Sequence, residues 1–162
     1  MIIPVLFGAA EVAFNVLVQS VTVVVILNRL LRYHRNPNPQ DSFFAHTWQL
    51  ASIMVILFLG HMVQIMAWAV PFRIFGQFDD LETAFYHSAV NYTSLGYGDI
   101  VMTGHWRLLG ALEAANGVLM FGVSTATFFA ILSAQFKKHR EVLRKLGETR
   151  KEESPTASTP SK

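Results

Sequence analysis

Three long apolar stretches, from about Ile2 to Leu31, Thr47 to Val70 and Trp106 to Phe136, leave this chain few ways to fold. Each supplies the roughly 20 apolar residues that cross a bilayer core of about 30 Å as a helix. One small soluble core cannot take up that much apolar surface. Of the 162 residues, 52% are hydrophobic and 15% charged, against about 25% charged in a soluble domain. The first stretch reads as a spanning helix rather than a cleaved leader, because no Lys or Arg precedes it and it is too long for a leader's apolar segment. Zero cysteines exclude disulfides, thiolate metal sites and cysteine nucleophiles. With no nucleophile–base pair, metal-ligand cluster or phosphate loop in evidence, an enzyme is excluded.

The segments between the stretches are polar. Residues 32–46 read as a turn, in which two Asn-Pro steps end one helix and Asp41 or Ser42 caps the next. Residues 137–146 extend the third helix as a basic amphipathic segment that Gly147 closes, and 148–162 have the composition of a disordered tail. Of the 13 Lys and Arg, three flank the first turn (Arg29, Arg32, Arg35) and eight follow Phe136, leaving Arg73 and Arg107 on the opposite side. The positive-inside rule then puts the turn and the C-terminus in the cytoplasm, and the N-terminus and residues 71–105 outside. The three-residue spacing of the arginine triplet is also that of a voltage sensor, but its place at a helix end beside a turn reads as a topology signal.

Residues 71–105 hold the functional signal. Asp79 or Asp80 is a plausible N-cap, and Glu82 complements the dipole of a helix running to about Tyr92. That helix is too short to cross a membrane and runs straight into Thr93-Ser94-Leu95-Gly96-Tyr97-Gly98-Asp99. A short helix and a loop returning to the same side form a re-entrant hairpin, and non-helical backbone at membrane depth is tolerated only when buried in protein or lining water. This loop is expected to line a pore.

The stretch TSLGYGD resembles the selectivity-filter signature of potassium channels, matching Gly96-Tyr97-Gly98-Asp99 in full with hydroxyl residues Thr93 and Ser94 ahead of Leu95. Ser94 stands where threonine is more usual, and Leu95 where valine or isoleucine is. The resemblance covers roughly residues 47–136. It implies an all-α membrane protein with three transmembrane helices per chain, a re-entrant pore helix and a filter loop, in the tetrameric potassium-channel architecture. It divides the chain into an additional N-terminal helix (1–31), a cytoplasmic turn (32–46), a pore module (47–136) and a cytoplasmic extension with its tail (137–162). Within the pore module lie the outer helix (47–70), pore helix (80–92), filter (93–98) and inner helix (106–136). Residues Thr93 to Gly98 are implied as the filter, with K⁺ held by the carbonyls of Ser94, Leu95, Gly96 and Tyr97 and by the Ser94 hydroxyl. Leu95 and Tyr97 would turn away from the ions to pack on the pore helix, and Asp99 stands at the outer mouth.

The function implied is passive K⁺ conduction, with K⁺ as the permeant ion and no cofactor, nucleic acid or small-molecule ligand. One loop cannot close a ring of carbonyls, so the partners are three further copies in a homotetramer, set in a lipid bilayer. The bacterial type of the module implies a bacterial inner membrane. A poorly selective cation channel, or a non-conducting partner subunit of another channel, are the alternatives.

Two features of the third stretch stay open. Gly117, and Gly122 after it, suit either a hinge in the inner helix or close helix packing in lipid. Val118, Phe121, Thr125 and Phe129 share one helical stripe, which is either cavity lining or packed core. Asp79, Asp80, Glu82 and Asp99 form an acidic rim that would concentrate cations, unless they serve as caps. Glu11, His61 and Glu113 lie at similar depth in three helices, where ionisable groups need partners. A buried polar cluster with Asn116 is one reading; separate bonds to backbone or headgroups is the other.

Overall fold

The computed structural model describes residues 2–35 and 43–152. The backbone forms α1 (Ile2–Arg35), α2 (Phe43–Ile74), the short α3 (Leu81–Tyr92), a single 3-10 turn at Gly104–Trp106, and α4 (Arg107–Glu152). No strand occurs among the described residues. Three helices, Ile2–Arg32, Thr47–Ile74 and Gly104–Lys137, are long and apolar enough to cross a membrane. Helix is the structure such segments must adopt, because hydrocarbon offers no partner to a backbone N–H or C=O. Their apolar side chains face outward without cover, as at Leu17 and Val21 on α1 and Phe58 and Leu59 on α2.

The chain divides into two units, Met1–Thr125 and Ala126–Lys162. The first holds α1, α2, α3 and the start of α4. Its core gathers Ile65, Trp68 and Phe72 of α2, Ala84 and Tyr92 of α3, and Leu109 and Met120 of α4. Glycines let α1 approach its neighbours closely. A Cβ added at Gly60 would come within 2.8 Å of Thr22 Oγ1, and one at Gly8 within 2.6 Å of Leu112 Cδ1. The second unit is helical to Glu152 and carries an i,i+4 ion pair, Arg144 to Glu148 at 3.8 Å.

The helices outrun the apolar stretches. α1 continues to Arg35, and α2 starts at Phe43 and passes Pro71 before ending at Ile74. Gly147 does not close the last helix, and residues 148–152 are helical rather than tail. A basic, Glu-containing sequence with i,i+4 pairs sustains helix in water without apolar content, whereas composition marks only where hydrocarbon ends. Gly76 closes α2 instead: its φ is +66°, and Gly76 N–H to Arg73 O (3.1 Å) with Gln77 N–H to Phe72 O (3.1 Å) make a Schellman cap. The Asn-Pro steps, Asp41, Ser42 and residues 153–162 lie outside the described residues.

Candidate functional site

Asp80 starts α3. Its backbone is extended, and its carboxylate accepts from Thr83 N–H at 2.7 Å and from the Thr83 hydroxyl at 2.8 Å. These bonds hold the Asp80 carboxyl below its ordinary value. A lowered folded-state value means that the cap's stabilisation is present above the unfolded carboxyl pKa, near 4, and is lost as pH falls through the folded value. The difference in thermal stability between the parent and Asp80→Ala is therefore expected to be full at neutral pH and to shrink below about pH 4. A difference independent of pH down to pH 3 would contradict the cap. Asp80 is thus a helix cap, the alternative to its place in an acidic rim, and Asp99 is partnered as well.

Thr93 caps the end of α3, its N–H and hydroxyl both bonding back to Ala89 O, at 3.1 and 2.6 Å. Ser94 then turns left-handed with φ 59°, the one non-glycine residue with positive φ among those described. Gly96 and Gly98 repeat the turn with φ 60° and 73°. Positive φ at 94, 96 and 98 gives the 93–99 loop a hand that alternates residue by residue. Side chains other than glycine adopt such angles only when the surroundings hold them there.

The loop is held at both ends by α3. At its start, Leu95 N–H donates to Val90 O at 3.0 Å and Ser94 N–H to Asn91 O at 2.8 Å. At its end, the Tyr86 hydroxyl donates to Asp99 Oδ2 at 2.8 Å, and the His87 ring bonds Ile100 O through Nδ1 at 2.9 Å. The Asp99 bond raises the Tyr86 hydroxyl above the ordinary phenol value. Between these pins every residue from Thr93 to Asp99 is exposed. Leu95 and Tyr97 are 58% and 67% exposed, so they are not packed on α3 as expected. A single chain offers them no cover.

Behind the loop, Gly117 of α4 meets the foot of α3. A Cβ there would overlap the Tyr92 carbonyl oxygen, while one at Gly122 would meet nothing within 4 Å. Gly117 therefore has a packing reason. Val118, Phe121, Thr125 and Phe129 are all exposed in the single chain, although the Phe121 ring also touches those of His61 (4.5 Å) and Tyr92 (5.5 Å).

Among the described residues no hydrogen bond joins any two of the four polar residues expected to cluster, although Glu11 and Glu113 lie near enough to act on one another electrostatically. His61 bonds Tyr92 Oη through Nδ1 at 3.0 Å and Ser124 Oγ through Nε2 at 2.9 Å. Glu113, fully buried, bonds the Ser88 hydroxyl, which also bonds Ile65 O at 2.8 Å. Glu11 is partly buried, and the buried Asn116 amide has no hydrogen-bond partner among the described residues. The Ser88 brace, Tyr92, Gln19, Gln64 and Ser124 were not singled out from the sequence. The available signal was the presence of Gln19 and Gln64 within stretches otherwise apolar, since an amide in hydrocarbon needs a partner.

A protein-family model described as "Ion channel" matches residues 53–134, half of the chain. Neither a curated protein nor a solved structure matches it.

Proposed function

The chain belongs to the ion channel family, and on that premise we propose that it conducts K⁺ selectively as a homotetramer, with the 93–99 loop as filter and α3 as pore helix. The observation that carries this reading is the positive φ at Ser94, Gly96 and Gly98. A chain whose hand alternates gathers its N–H groups on one side, which leaves the carbonyls of Ser94, Leu95, Gly96 and Tyr97 to the other. Four such rows around an axis would replace the water shell of a K⁺ ion.

The exposure of the loop supports the tetramer. Leu95 and Tyr97 find cover when neighbouring subunits close the ring, and Val118, Phe121 and Thr125 then face the axis as cavity lining. Charge supports a cell-membrane setting with the N-terminus outside and the C-terminus in the cytoplasm. Purified protein in vesicles is expected to pass K⁺ far faster than Na⁺, and cross-linking is expected to give a ladder that ends at four subunits. A ladder ending at two would contradict the architecture.

A further inference from the structure

Five buried side chains from four helices close a ring of hydrogen bonds. The Tyr92 hydroxyl donates to Gln64 Oε1 at 2.5 Å, Gln64 Nε2 to Gln19 Oε1 at 2.9 Å, and Gln19 Nε2 to Ser124 Oγ at 2.9 Å. Ser124 Oγ and His61 Nε2 are 2.9 Å apart, and His61 Nδ1 and Tyr92 Oη 3.0 Å, which completes the circuit. The amide directions fix its sense. Tyr92 has spent its one proton on Gln64, so His61 Nδ1 must donate to Tyr92 Oη, and a neutral His61 is then bare at Nε2 and accepts from the Ser124 hydroxyl. Each member then donates once and accepts once. All five are 7% exposed or less, in surroundings where a broken link leaves a polar group with no water to turn to.

Tyr92 is the last residue of α3, two before Ser94. Its hydroxyl is held by the ring and its carbonyl rests on Gly117. Gln19 lies on α1, outside residues 53–134, and contacts no residue of the loop among the hydrogen bonds described, yet the ring cannot close without it. We propose that Gln19, His61, Gln64 and Ser124 are positioning residues that hold Tyr92, so that α1 and α4 together set the geometry at the foot of the filter and its selectivity.

This inference rests on the loop being a K⁺ filter, and the test separates the two. In vesicles of the full chain, Gln19→Leu and Ser124→Ala are each expected to raise Na⁺ permeability relative to K⁺ about 3- to 10-fold, the equivalent of about 0.6–1.4 kcal/mol. The double variant should be no worse than the larger single change, because one break already opens the ring. Ser124→Thr, which keeps the hydroxyl, should restore parental selectivity. Parental selectivity in both single variants overturns the ring's role; a parent protein indifferent to K⁺ and Na⁺ overturns the filter reading itself. Should Gln19→Leu not assemble, Ser124→Ala with its threonine rescue decides alone. Nitrogen-15 spectra of His61 at neutral pH give a check that needs no current: a proton on Nδ1 is expected, and one on Nε2 alone would overturn the ring.

Discussion

Alanine at Gly98 or Gly96 is expected to abolish discrimination between K⁺ and Na⁺ in a chain that still inserts and assembles. Neither glycine has any atom within 4 Å of an added Cβ, so crowding is not the obstacle. The obstacle is conformation. At φ 73° and 60° an L-residue with a side chain costs about 1–2 kcal/mol, and a tetramer would carry the cost four times. The cheapest relief is for the peptide to flip, which in such a tetramer would turn a carbonyl away from the axis. Ser94 makes the contrast, because it already holds φ 59° with a side chain. Ser94→Gly keeps that backbone accessible and removes only the hydroxymethyl group, so its effect on selectivity should be the smaller. Reversal potentials under K⁺/Na⁺ bi-ionic conditions measure all three. Parental values in both alanine variants would remove the filter assignment.

The second large effect is expected at Gly117. A methyl group there overlaps the Tyr92 carbonyl oxygen, and backbone cannot swing aside as a flexible side chain does. α4 must move off α3, at the cost of about 1–3 kcal/mol or more that overpacking brings, and the displaced Tyr92 takes the start of the loop with it. Gly117→Ala is therefore expected to assemble poorly and pass little current. Gly122→Ala meets open space and should gain about 1 kcal/mol of helix propensity, leaving thermal stability equal or higher. The reverse order of damage would shift the role of a bending point to Gly122 and remove the packing account of Gly117.

These two glycines show what could be read from the sequence and what could not. The three spanning helices, the short α3, its acidic cap and the loop after it were legible, since apolar length, Asp80 and the G-Y-G spacing are local signals. The role of Gly117 was balanced between hinge and contact, because the Tyr92 carbonyl that decides it comes from another helix. Depth was legible for Glu11, His61 and Glu113, as position along a helix converts to distance at 1.5 Å per residue. Direction was not. Each residue turns its helix by about 100°, and only packing shows that His61 faces Tyr92 and Ser124 while Glu113 faces Ser88. The ring was hidden for the same reason: its links join residues 28 to 105 positions apart. Helix ends beyond the membrane were missed at Gly147, where i,i+4 charge pairs rather than apolar content carry the helix onward.

The central claim is that one chain, assembled with its own copies, forms a K⁺-selective filter from the 93–99 loop. Purified protein in a planar bilayer, with a tenfold K⁺ gradient and Na⁺ replacing K⁺ on the dilute side, tests it directly. The account predicts a reversal potential close to the K⁺ equilibrium value of about 59 mV in magnitude. A reversal potential near zero, with current carried equally by Na⁺, would contradict it.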